Sequence, residues 1–306
     1  MNFGFIFPGQ GSQSIGMGNE FYENFSVCKE LLQNSSDFCK IDFKKLLFSQ
    51  NDDINISKFT QPAIVLNSFF AFLALQENQK ILPKFCLGHS LGEFSALSIS
   101  GGISNIDCIK LVNLRGIFMQ ESCEGKDVSM MVVLGLCDEV VEKICEDARK
   151  DGAKFWAANY NCDGQIVLAG FKNDLLKFES EFKNAGAKRT LLLNMSVASH
   201  CEILKSASLK LKDEIKPLLK EKFSPVISNV TSKAYTTKDE ALNLLELQLI
   251  KPVLYKQSIK NYEDNVDCFV EFGASVLKGL NKKITQKPTF SITNLKDLDE
   301  FLKANF

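Results

Sequence analysis

The segment Gly88-His89-Ser90-Leu91-Gly92 constrains this chain more than any other. It fits G-x-S-x-G, the pattern of a serine on a sharp turn between a strand and a helix. A side chain at either glycine would crowd the turn that lifts the serine hydroxyl out of the backbone. The flanks agree. Ile81 to Leu87 carries apolar residues up to the motif, as a buried strand does. Leu91 to Ile99 follows with helix formers and an apolar stripe at Leu91, Phe94, Ser95, Leu97 and Ser98. Ser90 is therefore a candidate nucleophile.

Composition narrows what such a serine can serve. The chain has 306 residues, 45% of them hydrophobic, and a net charge of -1. That suits a globular protein with a large core and supplies no field for nucleic acid or anionic lipid. Met1 to Pro8 lacks a basic leader, and no run reaches the roughly 18 uninterrupted apolar residues of a membrane span. The ten cysteines are scattered, with no C-x-x-C pair, so free thiols are expected rather than a disulfide framework or a metal site. A cytoplasmic protein follows from that usage.

Along the chain, Phe3 to Phe7 reads as a strand ended by Pro8. The glycine-rich loop behind it, Gly9 to Gln13, fails the dinucleotide fingerprint because Ser14 replaces the third glycine. Thr60 to Gln76 reads as an apolar helix with Pro62 in its first turn. Ser104 to Asp107 begins another helix with a capping-box-like start. After Gly125 the pattern changes. Strands are expected at 129–136, 154–160, 165–169 and 188–195, helices at 138–150 and 173–184, with a hairpin turn at Asp163-Gly164. The order β-α-β-β-α-β is that of a ferredoxin-like module. More α/β pattern resumes afterwards: helices at 206–220, 241–249 and 276–284, strands at 225–229 and 268–272. The division is therefore a large α/β subdomain from 1–124 and 197–306 with a small subdomain, 125–196, inserted.

A serine nucleophile needs a base, and histidine is the usual one at neutral pH. Only two histidines are available. His89 neighbours Ser90 on the turn, where adjacent side chains diverge, and suits packing beside it. His200 is left as the base. No acid lies in Thr190 to Ser199 to orient its ring. Either a remote carboxylate or a neutral acceptor does so. Arg115 stands mid-helix among Leu114, Ile117, Phe118 and Met119. A guanidinium there needs an anion. A bound carboxylate and a core-edge acid both satisfy that requirement.

Together, Phe7 to Gln13, Thr60-Gln61-Pro62-Ala63, Gly88 to Glu93, Arg115-Gly116 with Met119-Gln120, Val197 to His200, and Gln248 before Pro252 form a recognisable set. From about Met1 to Ile284 the chain resembles the malonyl-CoA:acyl carrier protein transacylases of bacterial type II fatty acid synthesis. The resemblance implies an α/β-hydrolase-like large subdomain with a ferredoxin-like small one. It implies that Ser90 carries the malonyl group as an ester and His200 moves the proton. It further implies that the amides of Gln10 and Leu91 form the oxyanion hole, that Arg115 pairs with the malonyl carboxylate, and that Gln248 offers His200 a backbone acceptor. Met119, Asn159 and Ser199 would line the substrate site. Malonyl-CoA and acyl carrier protein would be the partners of a monomeric enzyme without metal or resident cofactor, since the coenzyme A thioester and the carrier's phosphopantetheine thiol are substrates. Two segments depart from the family pattern. Glu271 to Ser275 is one residue shorter than the usual stretch, implying an altered rim, and Asn161-Cys162-Asp163-Gly164-Gln165 replaces Asn-Ser-Pro-Gly-Gln.

A serine hydrolase shares the turn and the histidine but does not call for Arg115. A non-catalytic scaffold would call for none of Ser90, His200 and Arg115.

Overall fold

Phe3–Phe7 (β1) is buried at every position, and so is Cys268–Phe272 (β9). Unbroken apolar runs of this kind suit strands covered on both faces, as in a parallel sheet flanked by helices. The computed structural model describes residues 1–193, 195 and 197–305. In it, β1 lies between β9 and Phe85–Gly88 (β2), parallel to both. Lys222–Ile227 (β7) extends the sheet beyond β2. Ala234–Thr237 (β8) and Thr289–Ile292 (β10) form its edges, giving the order β10-β9-β1-β2-β7-β8. Only β8 runs antiparallel to its neighbour.

A second sheet is built from Val128–Leu134 (β3), Phe155–Cys162 (β4), Gln165–Phe171 (β5) and Arg189–Leu192 (β6). Its order, β4-β5-β3-β6, is antiparallel throughout and is that of a ferredoxin-like module. Side chains alternate between its two faces, as a strand's period of two requires. Met131, Ile166 and Leu168 pack with Val141, Cys145 and Phe182 of the module's own helices. Met130, Val167 and Ala169 join the core of the large subdomain instead. A backbone connection adds to this contact: Tyr160 N donates to Val253 O, and Val253 N to Ala158 O.

Several elements differ from expectation, each for a local reason. The strand before Ser90 starts only at Phe85, because Pro83 has no N–H for a ladder. The long apolar helix begins at Ser57, so Pro62 lies inside it rather than in its first turn. The Lys58 carbonyl that Pro62 cannot serve accepts from Asn113 Nδ2 at 2.7 Å. By length and composition this helix could cross a bilayer, although no uninterrupted apolar run had suggested it; here it is mostly buried in protein. The helix after Ser90, Gly92–Ile99, is buried from Gly92 to Ser98 and shows no one-sided stripe. The helix expected at 173–184 is split at Phe178, whose ring turns onto Phe155. That at 206–220 stops at Ile215, ahead of Pro217. The strand expected at 188–195 ends at Leu192, and part of that range, Asn194, lies outside the described residues. The strand at 225–229 runs from Lys222 to Ile227, which leaves Asn229 beyond the sheet. Helices between Asn19 and Phe48, at Tyr255–Tyr262 and at Leu295–Asn305, with strands β8 and β10, were not anticipated.

Candidate active site

Three adjacent parallel strands end side by side. Gln10 follows β1, Ser90 follows β2 and Asn229 follows β7. The carboxyl end of such strands is where α/β sheets place their ligand sites. The turn at Ser90 is as tight as the two glycines suggested. A Cβ on Gly88 would fall 1.8 Å from the Gly92 carbonyl carbon, and one on Gly92 would fall 2.0 Å from Phe7 O. Ser90 itself has φ 53°, a left-handed conformation that costs a non-glycine residue about 1–3 kcal/mol. Asn229 holds the turn from outside. Its Oδ1 accepts from Ser90 N at 2.7 Å, and its Nδ2 donates to Gly88 O at 2.6 Å.

Ser90 Oγ lies 2.7 Å from His200 Nε2, and His200 Nδ1 lies 2.7 Å from Gln248 O. A carbonyl can only accept, so the ring proton sits on Nδ1. Nε2 is then the bare nitrogen and accepts from the serine hydroxyl. Burial, with Arg115 as a second cause, pushes the His200 pKa down to about 3, so the ring is neutral at physiological pH. The acceptor on Nδ1 is thus the neutral one of the two alternatives left open by the sequence. His89 points elsewhere, 2.8 Å from Asn161 Oδ1 and beside Tyr255.

Arg115 is 1% exposed. Its Nη1 donates to Gln61 Oε1 at 2.8 Å, and its Nη2 to Ser90 Oγ at 3.2 Å and Gln248 Oε1 at 3.3 Å. Among the described residues these acceptors are amide and hydroxyl oxygens rather than carboxylates, and Nε has no partner. The core-edge salt bridge is therefore not what Arg115 makes. Burial lowers its pKa to about 9, against the opposing pull of Glu93, and it stays cationic at neutral pH. Phe94 lies under the guanidinium, 5.3 Å from ring centre to Cζ.

Gln10, Ser90, Arg115, Met119, Asn159, Ser199 and His200 line one cavity of about 190 Å³ between the two sheets. It adjoins a groove of about 1020 Å³ that shares Gln10 and Val197 and carries Lys126 and Lys172. Leu91 is the residue that caps the helix Gly92–Ile99, and among the described residues neither its amide nor that of Gln10 has an acceptor. The Glu271 to Ser275 segment does not line the cavity. The Glu271 carboxylate there accepts from the amides of Val276, Leu277 and Lys278.

Four residues that hold the site received no role from the sequence: Gln61, Glu93, Asn161 and Asn229. Glu93 is fully buried and accepts from Gln248 Nε2 at 2.8 Å and Asn229 N at 3.2 Å. The available signal was weak, since Gln61 and Glu93 stood inside quoted motifs and Asn229 at a strand end.

The acyl transferase domain model matches residues 4–290. The malonyl CoA-acyl carrier protein transacylase of Bacillus subtilis is 35% identical over 92% of this chain and 90% of its own. The crystal structure of malonyl-CoA:acyl carrier protein transacylase from Helicobacter pylori superposes with a TM-score of 0.95 at 46% identity, covering 99% of this chain and 98% of that one. A structure of a type II PKS acyl-carrier protein in complex with its malonyl-transacylase matches with a TM-score of 0.95 at 32% identity over the whole of both chains. With a serine, a neutral histidine and a buried arginine meeting at the end of a parallel sheet, this chain belongs to the acyl transferase family, among its malonyl-CoA:acyl carrier protein transacylases.

Proposed function

We propose that this enzyme moves a malonyl group from malonyl-CoA to the phosphopantetheine thiol of acyl carrier protein through an ester on Ser90, supplying fatty acid synthesis. The observation that carries the reading is Arg115, a buried cation bonded to Ser90 Oγ and to amide oxygens but, among the described residues, to no carboxylate. An acyl group with a carboxylate tail supplies the missing anion, and the guanidinium fork fits it bidentately.

In the first half-reaction Ser90 Oγ attacks the thioester carbonyl carbon while its proton passes to His200 Nε2. The carbonyl oxygen becomes an oxyanion facing the amides of Gln10 and Leu91, donors worth about 3 kcal/mol each in comparable sites. Collapse breaks the carbon–sulfur bond, and the departing coenzyme A sulfur takes the proton from His200. In the second half-reaction the carrier thiol gives its proton to His200 Nε2 and its sulfur attacks the ester carbonyl; the bond to Ser90 Oγ then breaks, and Oγ takes that proton back from His200. Gln248 O accepts from Nδ1–H throughout, so the proton that comes and goes is the one on Nε2. The malonyl carboxylate also offsets the Arg115 charge that depresses His200, so the base strengthens when an acid-tailed substrate is seated. Met119, Asn159 and Ser199 touch the acyl group from the cavity wall. The cleft between the subdomains, taken as 1–124 with 197–306 and 125–196, admits one thiol at a time. The chemistry calls for no metal or resident cofactor. A monomer in the cytoplasm is part of the proposal, and the unpaired cysteines suit that reducing compartment.

The test is the partition of radiolabelled malonyl-CoA. Label moves to acyl carrier protein when the carrier is present and is released as free malonate only slowly without it. Release of malonate at the same rate with and without carrier would make the protein a thioesterase.

A further inference from the structure

Glu93 is a carboxylate with no exposed surface, placed three residues after the nucleophile. It does not touch Ser90 Oγ, His200 or the cavity, so the reaction above leaves it without a role. Its bonds nevertheless lead to the acyl-recognition group. Oε2 accepts from Gln248 Nε2 at 2.8 Å, and the same amide nitrogen donates to Ser90 O at 2.9 Å. On its other side Gln248 Oε1 accepts from Arg115 Nη2 at 3.3 Å. The chemistry fixes this orientation. Arginine can only donate, and an ionised carboxylate can only accept, so the Gln248 amide must present oxygen to one and nitrogen to the other.

We propose that Glu93 is a positioning residue for acyl-group selection: it locks the Gln248 side-chain amide, which holds Arg115 where it meets the substrate carboxylate. The inference rests on the reading of Arg115 given above. Glu93 acts through the side chain of Gln248, whereas His200 is held by the main-chain carbonyl of that residue. The two functions of Gln248 are therefore separable. Loss of Glu93 disturbs selection of the charged acyl group more than the chemistry of the serine and histidine.

The groups around Glu93 come from four elements: Arg115 from the helix Asn105–Cys123, Gln248 from the helix Lys238–Gln248, Asn229 after β7 and Tyr235 from β8. The Tyr235 hydroxyl favours the ionised carboxylate, although neither it nor Glu93 Oε1 makes a full hydrogen bond among the described residues. Burial pushes the Glu93 pKa up to about 7. Burial raises Tyr235 well above its ordinary value, and Arg115 titrates near 9. Near neutrality Glu93 is the group in this cluster that changes charge.

The experiment compares kcat/KM for malonyl-CoA and acetyl-CoA, with the same carrier protein, for wild type and Glu93→Gln between pH 6 and 8.5. A glutamine has nearly the same shape but accepts either orientation of the Gln248 amide. The malonyl-to-acetyl ratio of the variant falls about tenfold or more at pH 8, as loss of a charge-assisted hydrogen bond implies. In wild type that ratio rises as pH passes through about 7, and in the variant it is flat. Using the ratio cancels proton transfers common to both acyl groups. An unchanged ratio, or equal loss for both substrates, overturns the proposal. If the variant does not fold, a flat wild-type ratio across the same range overturns it alone. A wild type that takes no malonyl label at all instead defeats the functional reading on which the proposal rests.

Discussion

Arg115→Ala removes the guanidinium that faces Ser90 Oγ, and its effect depends on the acyl group offered. Malonyl-CoA brings a carboxylate into a site whose cation is 1% exposed. Truncating one partner of a buried, hydrogen-bonded charge pair costs about 2–5 kcal/mol. That is a loss of roughly 30-fold to several thousand-fold in kcat/KM for malonyl transfer. Acetyl-CoA has no carboxylate to lose. Removing Arg115 also removes the second cause of the depressed His200 pKa, so the base becomes stronger and acetyl transfer is kept or improved. There is a structural penalty, because Gln61 Oε1 and Gln248 Oε1 lose their donor. Each orphaned acceptor costs about 1–3 kcal/mol unless water reaches it. The assay therefore measures both substrates at one temperature, well below the melting point of the variant. A ratio of malonyl to acetyl kcat/KM that stays at the wild-type value would refute the reasoning, because Arg115 would then support the fold without reading the acyl group.

Other consequences can be checked on stability. Gly88→Ala sets a Cβ 1.8 Å from the Gly92 backbone, so the turn must open; the variant loses about 1–3 kcal/mol or more in denaturant titration, or fails to fold, and a loss under about 1 kcal/mol contradicts the packing described. Glu93 has a folded-state pKa of about 7, above the 4.5 of an ordinary glutamate, so the folded chain holds that proton more tightly than the unfolded chain. The stability it contributes is present at low pH and is lost as pH rises from about 4.5 to 7, by up to about 3 kcal/mol. The Glu93→Gln variant accordingly gains on wild type between pH 5 and pH 8 in urea midpoints, and a constant difference over that range contradicts a buried carboxylate that ionises near 7.

The parts of this site legible in the sequence were those with local or compositional signatures. The turn at Ser90 is a five-residue pattern with a strand before it and a helix after it. His200 stood out because only one other histidine exists, and Arg115 because it lies mid-helix among apolar residues. The ferredoxin-like order was visible because each strand and helix has its own periodicity. What escaped was polar and non-local. Glu93 bonds to Gln248, 155 positions away, and to Asn229, 136 positions away. In sequence it resembles any acid in the first turn of a helix. Asn229 looks like a turn residue until β7 is seen beside β2. Asn113 gives no hint that it serves the carbonyl freed by Pro62, 55 positions from its partner Lys58. Gln248 is the intermediate case: the resemblance supplied its carbonyl as an acceptor for His200, and the folded chain adds the side-chain amide between Glu93 and Arg115.

A covalent malonyl group at Ser90 is the step on which the transfer depends, and intact-protein mass after brief incubation with malonyl-CoA, without carrier, reads it. Wild type gains the mass of one malonyl group, the gain maps to the peptide containing Ser90, and it disappears when acyl carrier protein is added. Ser90→Ala shows no gain. Unmodified wild type under these conditions, or an adduct that survives in Ser90→Ala, would contradict the account.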